Sequence, residues 1–256
     1  MVLEGKIDIY GGITLDSSNL SRIADAETAK IELETSIDQW KADGVNGIWF
    51  RVEKTDSFWI SVLTEAEFDF HHAQPGYVML TKWLPNTPNS LPRYAFTTVG
   101  VGGLVVSSDN RILLMKEKRG AYLGWKFPGG AADPNESIYE CVEREVHEET
   151  GIEAKATSIL CFRHGSRGWK ENMDIYFVCV MHPANESKME PKPCPQETEE
   201  CQWIKREDID NMPWACSFPI KDVLKRFDIL RETPERGIHA EHYTVGNYSW
   251  QIYQMD

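Results

Sequence analysis

The run from Gly129 to Ile152, GGAADPNESIYECVEREVHEETGI, constrains this chain more than any other stretch. Gly130 is followed after five residues by Glu136, and after seven more by Arg144-Glu145-Val146-His147-Glu148-Glu149-Thr150-Gly151-Ile152. Asp133 is placed to cap a helix whose first position is Pro134, with Glu136 three residues after the cap reaching back to it. Gly151 supplies the left-handed residue that ends the helix. The spacing therefore predicts a helix from about Pro134 to Thr150.

At helical periodicity Glu145, Glu148 and Glu149 fall on one side, at offsets of three and four. Ile138, Val142 and Val146 form an apolar stripe beside them, while Glu140, Glu143 and His147 point to solvent. Three carboxylates this close repel and raise one another's pKa unless something compensates. A divalent cation is the obvious compensation. All-oxygen ligands suit magnesium or manganese, and magnesium shares its shell with waters and phosphates, which points to phosphoryl or pyrophosphoryl chemistry. Arg144, one turn before Glu148, is placed to pair with it. The Gly129-Gly130 pair lets the backbone come close enough for Gly130 to offer its carbonyl to the metal. A Glu-rich helix is usually only a solvated face, and Glu140 and Glu143 fit that reading.

Composition narrows the classes. The 256 residues carry a net charge of −13 with 41% apolar residues, so the chain is globular and has no basic footprint for nucleic acid or an anionic membrane. The six cysteines show no C-x-x-C pair, and they read as reduced thiols rather than disulfides. No leader-like start is visible, and no apolar run approaches membrane-spanning length. The expectation is a soluble, cytoplasmic protein.

Along the chain, residues 6–15 read as a strand broken by two glycines, 25–42 as a helix, 47–53 as a strand, 58–66 as a short helix, and 68–72 and 77–84 as two strands around a Pro-Gly turn. The proline-rich LPNTPNSLPR then places a boundary near residue 92. Past it come strands over 94–107, 111–116, 154–163, 175–181 and 200–204, a short helix over 206–211, and a longer one over 218–230. One amphipathic helix between strands and a second near the end suit a sheet sandwiched between helices. The tail alternates weakly around Tyr243, Val245, Tyr248 and Trp250, as a hairpin or an ordered extension. The organisation expected is 1–92, 93–236 and a C-terminal extension over 237–256.

The Gly129–Ile152 run matches G-x5-E-x7-R-E-U-x-E-E-x-G-U, with U aliphatic, at every fixed position. A chance match is on the order of 10⁻⁹ per starting point at average residue usage. On this motif the chain resembles the Nudix hydrolases. DGVNGIWFRVE, FDFHHAQPGYVMLTKWLP and LPRYAFTTVGVGGLVV extend the resemblance to the subgroup with a pre-Nudix N-terminal domain, which includes plant cytosolic ADP-ribose/NADH pyrophosphatases and the animal protein encoded antisense to basic fibroblast growth factor.

The resemblance implies a Nudix α/β/α sandwich with a mixed sheet, a small acetyltransferase-like α/β domain before it, and frequent homodimerisation. It also implies metal-dependent hydrolysis of a nucleoside diphosphate linked to another moiety, with ADP-ribose or NADH as first choice. Coenzyme A, a nucleotide sugar, a prenyl diphosphate, or a non-catalytic nucleotide sensor are the alternatives. One position departs: where the subgroup carries His shortly after the Tyr-Ala pair, this chain has Thr97, so substrate choice carries over less than chemistry.

Gly130, Glu145, Glu148 and Glu149 are then the expected metal ligands, with Arg144 orienting them and Glu145 the first choice of general base. Members of the family also recruit a carboxylate from a distant loop, and here Glu197 and Glu200 stand in ETEECQW, with Glu197 preferred. Tyr122 and Trp125 are candidates to stack on a substrate ring, and Lys116, Arg119, Lys126 or Arg163 to meet phosphate; Trp125 serves equally as a core anchor. Adjacent strand residues face opposite ways, so at least one of His71 and His72 is expected to be structural.

Overall fold

Alternation of buried and exposed side chains along the strands, and apolar stripes along the helices, organise the computed structural model, which describes residues 1–120, 122–166, 173–212, 220–233, 237–245 and 248–255. The chain divides into two units, Met1–Ala95 and Phe96–Asp256; the sequence reading puts the boundary three residues earlier. No regular element is assigned between Trp83 and Thr97.

The first unit holds strands β1 (Lys6–Ile7), β2 (Ile13–Asp16), β3 (Gly47–Glu53), β4 (Asp69–Gln74) and β5 (Tyr77–Trp83), with helices α1 (Ala26–Ala42) and α2 (Phe58–Glu65). The sheet order is β1-β2-β3-β5-β4, parallel between β2 and β3 and antiparallel elsewhere. Asp25 caps α1 by accepting the Thr28 N–H at 2.8 Å. The stripe Ala29, Leu33, Ile37 and Trp40 then buries against Ile48, Phe50, Trp59 and Leu80. Simple alternation does not hold at the histidine pair. The β4–β5 register shifts between Phe70 and His72, and this bulge turns both rings together, Nδ1 to Nδ1 at 2.7 Å. Both are packing residues: His71 Nε2 meets the Pro92 carbonyl at 2.9 Å, and Tyr94 stacks on His72 with ring centroids 4.6 Å apart.

The second unit contains β6 (Thr97–Val105), β7 (Arg111–Glu117), α3 (Ile138–Thr150), β8 (Ala154–Ser166), β9 (Met173–Pro183), β10 (Thr198–Lys205), α4 (Arg206–Ile209), α5 (Ile220–Glu232), β11 (Ile238–Val245) and β12 (Tyr248–Met255). The sequence starts the last helix at Phe218, which lies outside the described residues. A mixed sheet runs β12-β11-β8-β9-β6, and β7 pairs with β10 in a two-stranded sheet. The tail is a hairpin whose first strand joins the sheet at Ile238 opposite Ile159.

Period-two patterning makes this unit a sandwich. On one side Val101, Val105, Leu113, Cys179 and Met181 pack with Val142 and Val146 of α3. On the other, Leu104, Ile112, Leu114, Val178 and Val180 pack with Val223, Leu224 and Phe227 of α5. Fully burying each such side chain contributes about 1.5–3 kcal/mol. The described cysteines, at 141, 161, 179, 194 and 201, are all free thiols; Cys216 lies outside the described residues.

Gly103 sets how closely α3 lies on β6. A Cβ there would fall 2.5 Å from Val146 Cγ2 and 2.8 Å from Met181 Sδ. Gly103→Val should therefore overpack this contact and lower stability by about 1–3 kcal/mol, seen as a lower urea midpoint. An unchanged midpoint would show that α3 packs less tightly than described.

Candidate active site

Helix α3 begins four residues later than the sequence predicts. Its cap is Ser137, whose hydroxyl accepts the Glu140 N–H at 3.3 Å while Glu140 accepts the Ser137 N–H at 3.0 Å. Asn135 has a φ of 67°, a left-handed conformation that a helix cannot continue through, so Pro134 and Glu136 lie outside α3. Asp133 and Glu136 instead close a turn of their own, with the Asp133 N–H on Glu136 Oε2 at 2.9 Å. Gly151, with a φ of 70°, ends the helix as expected.

The displaced start brings Glu136 to Arg144. The guanidinium donates Nε to Glu136 Oε1 at 2.7 Å and Nη2 to Oε2 at 2.8 Å, a two-pronged pair. Its Nη1 reaches Glu145 at 2.9 Å and Glu148 at 3.1 Å. One cation thus orients three carboxylates, including the partner foreseen at Glu148. These hydrogen bonds hold the Glu136 carboxyl down at about 2, against the opposing effect of burial.

Glu145 is half-buried and lies over the glycine turn. A Cβ on Gly130 would come 2.5 Å from the Glu145 carboxyl carbon, so only glycine leaves the carboxylate room there. Gly130 is sewn to β6, its carbonyl accepting the Val101 N–H at 2.8 Å; a second lone pair is left for a ligand. Burial raises the Glu145 carboxyl above its ordinary value, Arg144 opposes this, and the charges of Glu148 and Glu197 add to the rise.

Glu149 departs from the shared face that the spacing predicts. It is buried and accepts the Gly129 N–H at 2.6 Å. Burial pushes its carboxyl up to about 7; nearby Lys126 and the Gly129 N–H pull the other way, and Glu145 and Glu117 push further. Among the described residues no three His, Cys, Asp or Glu side chains stand together closely enough to hold a metal ion. The three glutamates are thus divided between Arg144 and the Gly129 turn. Their chemistry still fits a hard divalent cation: oxygen donors only, in carboxylate surplus, with a carbonyl beside them.

The remaining sequence candidates fall into separate groups. Glu197 is exposed just before β10, its charge reaching Glu145. Glu200 is tied to Lys116 at 2.7 Å, and that ammonium lies 4.3 Å from the Trp125 ring centroid. Trp125 packs against the α5-side core, and its carbonyl accepts the Tyr122 hydroxyl at 3.3 Å. Lys126 donates to Glu117. Arg163 meets buried Asp174 at 3.1 Å and lies 5.1 Å from the Tyr176 ring centroid.

Glu117, Asp174 and Tyr176 were not singled out in the sequence. Burial, and then the charge of Glu149, raise the Tyr176 phenol, and its ring lies against Gly100 and Gly102 of β6. A trace existed: Gly100 and Gly102 alternate on β6, and Gly100 pairs with Tyr176, leaving a trough that an aromatic ring fills.

Two family models match this chain, one described as "Nudix hydrolase domain" over residues 3–84 and one as "NUDIX domain" over residues 96–227. Nudix hydrolase 7 of Arabidopsis thaliana is 31% identical over 218 residues, covering 83% of this chain and 75% of its own. Nucleoside diphosphate-linked moiety X motif 6 of Mus musculus is 34% identical over 212 residues, covering 81% and 67%. Nudix hydrolase 2 of Arabidopsis thaliana is 30% identical over 216 residues, covering 83% and 76%.

The Glu136–Arg144 pair has a pH signature. A carboxyl lowered to about 2 from 4.5 stabilises the fold fully above 4.5, and that contribution is lost as pH falls through 2. Glu136→Gln should cost on the order of 2 kcal/mol at neutral pH, and the gap to the parent chain should narrow steadily below pH 4.5. A gap that stays constant in acid would mean that the pair does not stabilise the fold through its charge.

Proposed function

The chain belongs to the Nudix hydrolase family, and from that premise we propose that it is a metal-dependent pyrophosphatase cleaving a nucleoside diphosphate linked to another moiety, with ADP-ribose or NADH as its preferred substrate. The observation that carries this reading is the Glu145 carboxylate, held by Arg144 over the Gly130 turn with Glu148 beside it. The printed name of the mouse relative, a nucleoside diphosphate-linked moiety X motif protein, supports the substrate class. The choice of ADP-ribose or NADH rests on the pre-Nudix subgroup motifs in residues 43–106.

Glu145, Glu148, Glu149 and the Gly130 carbonyl would hold magnesium or manganese, which supplies neutralisation of the diphosphate oxygens and a more acidic water. Glu145 takes the proton of the water that attacks phosphorus, the bond from that phosphorus to the bridging oxygen breaks, and two monophosphates leave. Glu197, exposed and electrostatically coupled to Glu145, is the second candidate base. Glu200, paired with Lys116 beside Trp125, steadies the loop before the helix. Tyr122 and Trp125 bind the substrate's ring in this reading. Lys126 and Arg163 exchange carboxylate partners for phosphate oxygens. A homodimer, which rests on the resemblance, and a cytoplasmic location, which rests on composition and the lack of long apolar runs, belong to the same proposal; no helix among the described residues is long and apolar enough to cross a membrane.

The test is a panel of ADP-ribose, NADH, coenzyme A, a nucleotide sugar and a prenyl diphosphate with magnesium or manganese, with products identified. Glu148 is the cleanest variant, because its side chain is 55% exposed and the fold does not lean on it. Glu148→Gln should reduce kcat by at least about 10²-fold at an unchanged melting temperature. Near-normal turnover in both Glu148→Gln and Glu145→Gln would remove the mechanism. Preference for another panel member would keep the chemistry and move the substrate, and tight binding without turnover would make the protein a sensor.

A further inference from the structure

The pyrophosphatase reading gives no residue of the first unit a role in catalysis or ligand binding, yet that unit contains a cavity of about 750 Å³ bordered by Asp8, Tyr10, Trp49, Trp83, Leu91 and Pro92. Three of these are large aromatics brought together from three places in the chain. Asn46 fixes two of those places. Its side-chain amide donates to the Tyr10 carbonyl at 2.9 Å, its N–H donates to the Gly11 carbonyl at 2.8 Å, and its own carbonyl accepts the Leu84 N–H at 2.9 Å. Trp83 spends its indole N–H on the Thr87 carbonyl at 3.1 Å, so its polar edge is satisfied by the protein itself. Trp49 stands edge-on to His71, ring centroids 4.8 Å apart.

Among the described residues, the only charged side chain on the cavity wall is Asp8. Its Oδ1 accepts the Tyr10 N–H at 2.7 Å and the Gly12 N–H at 2.9 Å, which holds the carboxylate in place, and it has no ion pair among the described residues. Among the described residues, no Lys, Arg or His lines the cavity. Residues 1–95 carry fourteen Asp and Glu against eight Lys and Arg, so the whole unit disfavours phosphates and other anions.

We propose that this cavity binds a small organic cation of the quaternary or methylated ammonium class. Aromatic faces attract such a cation through their quadrupoles, a single carboxylate balances its charge, and its methyl groups need no hydrogen-bond donors, which the wall does not offer as charged groups. A nucleotide, the ligand class of the other unit in our reading, would place phosphate against Asp8 with no cation to receive it. The proposal is independent of the acidic helix face, and either can fail alone.

The experiment is calorimetric titration of the full chain with choline chloride, matched against sodium chloride and against 3,3-dimethylbutan-1-ol, the neutral isostere of choline. Saturable one-to-one binding of choline is expected, with the alcohol about tenfold weaker or more. Asp8→Asn should weaken choline several-fold and leave the alcohol unaffected. Tyr10→Ala should weaken choline at an unchanged melting temperature, because Tyr10 is 79% exposed and supports no core contact. Absence of saturable choline binding, equal binding of the alcohol, or displacement of choline by AMP would each overturn the proposal.

Discussion

The second unit depends on one guanidinium. Arg144 reaches back to Glu136 across the start of its own helix and sideways to Glu145 and Glu148. Without it, two carboxylates on adjacent turns of α3 and a third on the preceding turn would repel one another in a partly buried setting, where removing one partner of an ion pair costs more than the pair contributes. With it, the turn that precedes the helix is tied to the face that follows. The same residue therefore ties down the turn and orients the acidic face of the helix.

That geometry also requires backbone approach. The glycine turn runs beside β6, exchanging hydrogen bonds with Val99, Val101 and Gly103, and α3 lies against the same strand through Val142 and Val146. The strand is thus the common floor of turn and helix. Because the sandwich interior is close-packed, small residues on β6 convert directly into the position of Glu145 over Gly130 and of Tyr176 against Gly100 and Gly102. The acidic face is placed by contacts that are themselves apolar.

The first unit follows a different logic. Its core is built by the capped helix α1 and the shorter α2 on a mixed sheet, and its polar features are loops fixed by short-range bonds, such as Asp8 holding the 8–12 turn and Asn46 gripping it from across the sheet. The bulge at Phe70 to His72 shows how one extra residue in a strand brings two rings together that strict alternation would separate.

The sequence by itself determined the order of most elements and the identity of the acidic helix, because period two, period 3.6 and the spacing from Gly130 to Gly151 are local properties; it took residues 6–15 as one strand where there are two, and left the tail open between a hairpin and an extension. It also named Arg144 and Glu148 as partners, which a four-residue offset on a helix requires. It could not determine where α3 begins, since Asp133 and Ser137 are both good caps; the start falls at Ser137 because Asn135 is left-handed and Ser137 closes a capping box with Glu140. Nor could it show that Glu149 turns inward to the Gly129 N–H, that Glu200 is held by Lys116, that Glu117 is held by Lys126, or that Tyr176 fills the space over Gly100 and Gly102. Those outcomes depend on strands distant in the chain meeting in one register, and only the packed structure decides which of several acceptable partners a charged side chain finds.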